Sequence, residues 1–306
     1  MDAVTHTRQQ WTEMPETLTS RISAVIGEVV SAESQPSGFS TGVAARVTTA
    51  TGARAFVKAA DRGRNEQTVE LHRREARILG DVPLGPSAPR LIGTAEDHDW
   101  FVLIVDDIAG RHPDERAGDT ERVLDALASL PRVTTMHGLP RVAETEQDAM
   151  AAWKELEDAA GGDVPEWARR HHALLADLAS RAVDALRGDW LLHFDTRADN
   201  LLVEADGTVR IVDWPWAALG CRWFDALCYL IDVRMRAEPC DTNLLVEQHP
   251  IFADAASGDV TAVLAGLAGH FLDKARRPAP AFMPALRAFQ RAEGEAALDW
   301  VRERVE

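Results

Sequence analysis

The sequence predicts an α+β fold with two lobes, a small N-terminal lobe built on an antiparallel sheet and a larger, mostly helical C-terminal lobe. Three observations lead to this prediction. Strand and turn patterns concentrate between residues 37 and 106, helical periodicity dominates from about residue 109, and one short β segment at 190–214 interrupts the helical part. A chain of 306 residues has room for two such units. We expect the lobes to span residues 1–108 and 109–306.

The N-terminal lobe is predicted to open with an amphipathic helix over residues 16–30, where apolar side chains recur at helical spacing. Residues 37–60 then read as two strands around a turn at Thr51 and Gly52. One main helix follows over 64–80, and residues 90–106 are typical of two further strands joined by a polar turn. The result is a small sheet that carries one main helix.

The C-terminal lobe is predicted to be mostly helical. Its clearest helical patterns cover 118–130, 147–158, 164–187, 223–237 and 260–275. The only stretch that resembles a linker is GRHPDERAG, residues 110–118, which is short enough for a hinge between the lobes.

Charge and cysteine content exclude several classes of partner. Lys and Arg number 33 and Asp and Glu number 49, so the formal net charge is −16 and phosphate backbones and anionic membranes are repelled on average. No secretory signal opens the chain and no apolar run is long enough to span a bilayer. The three cysteines lack CxxC spacing, which fits a reducing compartment. We therefore expect a cytoplasmic protein that binds neither nucleic acid nor membrane.

The segment WLLHFDTRADNLLVEADGTVRIVDW, residues 190–214, predicts a β-hairpin with two metal ligands. Asp206 and Gly207 read as a two-residue turn, because such turns need residues that tolerate positive φ. Counting back from that turn places Asn200 opposite Asp213, with Cβ atoms about 4.5–5.5 Å apart. An amide oxygen and a carboxylate at that distance suit magnesium, which completes its shell with water and phosphate.

A further carboxylate, Asp195, lies five residues before Asn200, in a loop that leaves an apolar strand. Beside a metal that carries phosphates, such a group can accept a proton or a hydrogen bond from an incoming hydroxyl. The arrangement is that of a kinase.

The sequence contains only three lysines, and one of them, Lys58, lies in the apolar strand AFVKAA. A buried ammonium is costly unless it is paired, so Lys58 needs an anionic partner. The following helix offers Glu75, which shares an apolar face with Leu71 and Ile78. Glu70 is the alternative partner, and a Lys58 that reaches solvent at a sheet edge is the structural alternative.

The string HFDTRADN matches the HxDxxxxN catalytic loop, and IVDW the metal-binding segment, of the aminoglycoside phosphotransferase and choline kinase group of protein-kinase-like enzymes, which the chain resembles from about Ser37 to Leu227. The resemblance implies a bilobal protein-kinase-like fold. It also implies that Asp195 is the catalytic base and that Arg197 faces the transferred phosphoryl group. Two residues would hold magnesium, Asn200 and Asp213.

The resemblance implies a nucleotide site as well, in which Lys58 holds the α- and β-phosphates and Glu75 orients it. The segment SGFSTG, residues 37–42, takes the position of the nucleotide-covering loop, with Ser40 within it. The strand end at Asp106 and Ile108 takes the position of the hinge that touches adenine.

The region after the metal segment resembles small-molecule kinases. Asp225 matches the family aspartate that braces the catalytic loop, and it follows Asp213 by only 12 residues, too few for a long activation segment. Two positions depart from the family pattern. Phe194 replaces the usual glycine between His193 and Asp195, and Pro215 stands where many relatives have glycine or an acidic residue.

These residues predict a magnesium-dependent enzyme that transfers the γ-phosphoryl group of ATP or GTP to a hydroxyl of a small molecule, either an antibiotic such as an aminoglycoside or a related metabolite. The first alternative is a catalytically silent protein of the same fold that binds a nucleotide or a partner. The second is a metal-dependent phosphoesterase that uses His193 and Asp195 with the nearby pair His171 and His172.

Overall fold

A computed structural model describes residues 8–35, 41–133, 138–157, 164–280 and 283–306. By their packing the residues form two compact units. The first contains residues 1–112 and 199–216, and the second contains 113–198 and 217–306. The β-hairpin after the HFDTRADN motif thus groups with the N-terminal elements, whereas the lobe division at residue 108 stays a prediction.

The elements run in chain order as follows. The N-terminal part contains α1 (Glu16–Ile26), β1 (Val29–Ser34), β2 (Val43–Thr49), β3 (Arg54–Asp61), α2 (Arg62–Asp81), β4 (Leu91–Asp97) and β5 (Trp100–Asp106). The rest contains α3 (Asp119–Ala128), α4 (Val142–Thr145), α5 (Gln147–Met150), α6 (Glu166–Arg170), α7 (His172–Ala179), α8 (Ala182–Ala185), β6 (Trp190–Leu192), β7 (Leu201–Val203), β8 (Val209–Ile211), β9 (Ala218–Gly220), α9 (Phe224–Met235), α10 (Thr242–Gln248), α11 (Ser257–Ala275) and α12 (Leu286–Val305).

The first unit is built on a five-stranded antiparallel sheet in the order β1-β2-β3-β5-β4. This confirms the predicted strands in 37–60 and 90–106 and adds β1, which the sequence did not predict. The predicted helix 16–30 is too long, because Gly27 adopts a φ of 94° and ends α1 at Ile26. Val29 then begins β1 instead of the last helical turn.

The two faces of this sheet pack against different helices. Val57 and Ala59 of β3 join α1 in one apolar cluster, while Phe56 and Ala60 join α2 in another. Because side chains alternate along a strand, Lys58 lies on the α2 face. The helix that follows β3 therefore covers the only lysine of the sheet.

The β7–β8 hairpin differs from the prediction by one residue. Leu201 pairs with Ile211, and three residues, 205–207, form the loop in place of the predicted two-residue turn. The reason is Gly207, whose φ of 87° closes the loop in the left-handed region that three-residue hairpins use. Asn200 consequently pairs with Val212, whose N–H donates to its carbonyl at 2.9 Å, so the predicted pairing of Asn200 with Asp213 is wrong.

The second unit is mostly helical and packs around α11, which contacts α5, α7, α8 and α12. The predicted helix 164–187 is divided into α6, α7 and α8. A short strand that the sequence did not predict, β9, pairs with β6, because three residues carry no alternation signal. No helix in the described ranges is both long and apolar enough to cross a bilayer.

Two glycines of α11 predict opposite effects of the same change. A Cβ at Gly269 would lie 2.7 Å from Nε1 of Trp153, a fully buried indole that donates to the Ala265 carbonyl at 2.7 Å. Gly269→Ala is therefore expected to lower the free energy of unfolding by about 1–3 kcal/mol, although alanine favours helix. The matched control is Gly258→Ala, which should not lower the free energy of unfolding, because its Cβ meets nothing closer than 3.9 Å. Equal urea midpoints for both variants would contradict this packing.

Candidate active site

In the first unit the ammonium of Lys58 contacts two carboxylates. Its Nζ lies 2.9 and 2.8 Å from the two oxygens of Glu75 and 2.6 Å from Oδ1 of Asp213. The structure therefore brings together three of the residues that the sequence selected, from β3, α2 and the segment after β8.

Glu75, not Glu70, is the partner of Lys58. Glu75 is 1% exposed and lies on the buried face of α2, and one of its oxygens also accepts the Trp214 N–H at 3.3 Å. Glu70 is 56% exposed and pairs with Arg73 at 3.1 Å. Lys58 itself is only 14% exposed, which excludes a lysine that reaches into solvent.

The two carboxylates keep Lys58 in its charged form. Burial lowers the pKa of Lys58, but the carboxylates of Asp213 and Glu75 outweigh it and hold that pKa above its ordinary value. Burial raises the pKa of the Glu75 carboxyl, against the opposing effect of Lys58. Lys58 is therefore a fixed positive charge at neutral pH.

The two predicted metal ligands flank the β7–β8 hairpin at its open end, one directly before β7 and the other two residues after β8. Asp213 has a φ of 69° and a side chain that is 43% exposed, and it precedes the fully buried Trp214. Asn200 is 5% exposed and ends a 3-10 turn, Ala198–Asn200. A carboxylate and an amide oxygen fit magnesium, which takes few protein ligands when phosphate and water supply the rest.

The other residues predicted to bind nucleotide are not part of this cluster. Asp106 ends β5, three residues beyond the partner of Lys58 in that strand, and its carboxylate pairs with Arg90 at 2.9 Å. The carbonyl of Ile108 accepts a hydrogen bond from Arg46 at 3.2 Å. Ser40 lies outside the described residues.

In the second unit β6 leads into the loop of the HFDTRADN motif, which begins with His193. Asp225, at the start of α9, accepts the N–H groups of His193 and of Phe194, the latter at 3.0 Å. The fully buried His193 accepts the N–H of Asp195 on Nδ1 at 3.3 Å. Burial raises the pKa of the Asp225 carboxyl, and His193 opposes this effect. These bonds fix the backbone that carries Asp195.

Asp195 and Arg197 lie next to each other in this loop. Nη1 of Arg197 donates to Oδ1 of Asp195 at 2.7 Å. The guanidinium also lies over the ring of Phe289 on α12, with 5.3 Å to the centroid. The arrangement places a carboxylate that can accept a proton beside a cation that can stabilise negative charge.

The departure at Phe194 has a structural explanation. Phe194 adopts a φ of 66°, in the region that favours glycine, which is the residue that the family resemblance led us to expect at this position. Its ring stacks on Phe224 of α9 with 5.4 Å between centroids. Ring stacking with Phe224 helps to offset the strain of this backbone conformation.

Two residues near these groups were not predicted from the sequence. Asp232 of α9 accepts the Ala198 N–H at 3.0 Å, and its spacing of seven from Asp225 in a mainly apolar helix was the available signal. His72 of α2 is 6% exposed and lies one helical turn before Glu75. Nothing in the sequence marks it, because a lone histidine on an apolar face is common.

His72 predicts acid sensitivity of the fold. Burial, and then the positive charge of Lys58, lower the pKa of His72 from 6.5 to about 3. Between pH 3 and pH 6.5 the unfolded chain binds a proton on this histidine that the folded chain does not bind. The contribution of the neutral His72 to the free energy of unfolding is therefore complete above pH 6.5 and is lost as the pH falls towards 3. For wild type we expect this titration to lower the free energy of unfolding by about 2 kcal/mol between pH 7 and pH 5.

The variant His72→Leu removes this titration, so its unfolding free energy should change less between pH 7 and pH 5. Urea unfolding at both values measures the difference. The control is His98→Asn, which removes a solvent-exposed histidine whose φ of 49° asparagine tolerates. An equal pH dependence of His72→Leu and wild type would show that His72 titrates normally.

Solved structures with the same fold include the following three proteins. Choline kinase LicA from Streptococcus pneumoniae is 12% identical with a TM-score of 0.57, over 93% of this chain and 98% of that chain. A choline/ethanolamine kinase family protein from Mesorhizobium loti is 16% identical with a TM-score of 0.56, over 92% and 93%. APH(2″)-IIa, solved with streptomycin and ATP, is 12% identical with a TM-score of 0.54, over 85% and 90%.

These likenesses confirm the predicted protein-kinase-like α+β fold. No curated protein matches the sequence significantly. The model of the phosphotransferase enzyme family matches residues 33–267, which is more than two thirds of the chain. The resemblance found through the HFDTRADN motif is thereby confirmed, and the chain belongs to the phosphotransferase enzyme family.

Proposed function

We propose that the protein is a small-molecule kinase that transfers the γ-phosphoryl group of ATP or GTP to a hydroxyl of its acceptor. The observation that carries the proposal is the position of Lys58 between the buried Glu75 and the half-exposed Asp213. A phosphate chain needs a fixed cation, and a metal beside it needs a carboxylate that remains accessible.

Each residue has a role in this proposal. Lys58, oriented by Glu75, binds phosphate oxygens of the nucleotide. Asp213 and Asn200 hold magnesium, which when bound neutralises charge on the phosphates. Asp195 accepts the proton of the acceptor hydroxyl. The hydroxyl oxygen attacks the γ-phosphorus at the same time, and the bond from that phosphorus to the leaving nucleoside diphosphate breaks. Arg197 stabilises the charge on the transferred group, while Asp106 and Ile108 mark the proposed adenine contact.

The proposed acceptor is an alcohol of an antibiotic, such as an aminoglycoside, or of a related metabolite. Solved structures of the same fold support this range, since they include a choline kinase and a protein solved with streptomycin and ATP. A role in antibiotic resistance is proposed for the first case. The proposed compartment is the cytoplasm, where ATP and magnesium are present, and the three cysteines are free thiols there.

The rival functions account for fewer of the observations. A silent binding protein has no need for Asp195 to be fixed beside Arg197. A phosphoesterase would need His171 and His172, but a ring nitrogen of each lies 2.8 Å from a different carbonyl, that of Trp167 and that of Trp153. These two side chains point to different neighbours rather than to one metal.

The test is magnesium-dependent release of ADP or GDP across a panel of aminoglycosides, other hydroxylated antibiotics, choline, ethanolamine and sugars. We expect one acceptor class to stimulate release. An antibiotic-susceptibility panel on cells that express the protein tests the resistance role. Phosphate release from phosphoesters without any nucleoside triphosphate would favour the phosphoesterase and contradict the proposal.

A further inference from the structure

Two carboxylates of α9 hold the two ends of the catalytic loop. Asp225 accepts the N–H groups of His193 and Phe194 before Asp195, and Asp232 accepts the N–H of Ala198 after Arg197. Asp232 follows Asp225 by seven positions, which places both residues on one face of the helix with their Cα atoms about 10 Å apart. The segment with both proposed catalytic residues is thus anchored at each end.

The downstream anchor is itself held in place. Asp232 is 5% exposed, and Nε of Arg236, one helical turn later, donates to its Oδ2 at 3.1 Å. Arg236 also pairs with Glu238, whose other oxygen accepts the N–H of Glu115 at 2.9 Å. The carboxylate of Asp232 therefore cannot follow the loop if the loop moves.

We propose that Asp232 is a positioning residue for phosphoryl transfer, an inference that rests on the proposed function. The bond from Ala198 limits where Asp195 and Arg197 can lie, and transfer rates depend steeply on such placement. Without Asp232 the half-buried N–H of Ala198 loses this carboxylate acceptor, so the loop is held less firmly at this end. The chemical step suffers, whereas the nucleotide contacts proposed for Lys58 and Asp213 stay intact.

Asp232→Ala should lower kcat about 10- to 100-fold, with the nucleotide Kd within about twofold of wild type. Asp232→Asn should keep most of kcat, because its amide oxygen still accepts the Ala198 N–H. The matched control is Asp273→Ala. Asp273 is also a buried aspartate, 3% exposed, and its arginine partners follow it by three and four residues at the end of α11, away from the loop. Turnover is ADP release from ATP with the best acceptor of the panel.

Hydrogen exchange at the backbone amides of residues 193–200 provides a readout that does not depend on turnover. We expect faster exchange there in Asp232→Ala but not in Asp273→Ala. Equal kcat losses in the two alanine variants, or a kcat near wild type in Asp232→Ala, would overturn the inference. If wild type transfers no phosphoryl group to any acceptor, the proposed function fails, and unchanged exchange in Asp232→Ala would then overturn the inference separately.

Discussion

Replacement of Asp195 by asparagine is expected to lower kcat by about a hundred- to ten-thousandfold, the usual contribution of a positioned general base. The amide cannot accept the proton of the acceptor hydroxyl, yet it has nearly the same shape and can still accept the hydrogen bond from Arg197. The backbone of the loop remains anchored on Asp225 and His193. Nucleotide affinity should therefore change less than about threefold, since only the chemical step loses a participant.

Initial rates of ADP release and a nucleotide titration by calorimetry measure the two quantities. Asp189→Asn is the matched control, because Asp189 precedes β6, which leads to Asp195, and pairs with Arg132 and Arg141 away from the loop. It should retain kcat. Near-normal turnover by Asp195→Asn would show that this residue is not the base.

Replacement of Asp213 by alanine is expected to abolish most of the gain in nucleotide affinity that magnesium provides. The change removes the proposed carboxylate ligand of the metal, while Lys58 keeps its bond to Glu75 and stays paired. Because Asp213 is 43% exposed, its loss should leave the fold intact, at only the modest cost of placing alanine at a φ of 69°. The ratio of nucleotide Kd in EDTA to that in magnesium should fall at least about tenfold, which is the loss of about 1.4 kcal/mol of metal-dependent binding.

Glu204→Ala is the control for this ratio, since Glu204 lies at the opposite end of the same hairpin and pairs with Arg210. It should leave the effect of magnesium unchanged. An Asp213→Ala variant whose affinity still responds to magnesium like wild type would remove Asp213 from the metal site.

The cluster around Lys58 could be predicted because each step follows from a regular period. Alternation in AFVKAA places Lys58 on one sheet face, and helical spacing places Glu75 on the buried face of the next helix. α2 begins at Arg62, directly after the last residue of β3, and packs on the sheet face that carries Lys58. A buried lysine needs an anionic partner, and few other residues on this face could provide one.

The remaining features depend on local conformations that residue patterns do not specify. Asp206 and Gly207 are compatible with a loop of two or of three residues. The left-handed conformation of Gly207 favours the three-residue loop, and in that register Asn200 lies opposite Val212 and not opposite Asp213. Gly27 ended the first helix before β1 in the same way. Asp232 was missed because an acidic residue in a helix is usually solvated, and only tertiary packing shows that it accepts the Ala198 N–H.

The most direct test of the account follows the γ-phosphorus itself. ATP with a labelled γ-phosphate is incubated with magnesium, the protein and the acceptor that best stimulates ADP release, and the products are separated. We predict that the label appears on a hydroxyl of the acceptor in a 1:1 ratio with ADP, and that Asp195→Asn forms neither product. Label found only in inorganic phosphate, at a rate that the acceptor does not alter, would contradict a phosphotransferase that acts on that alcohol.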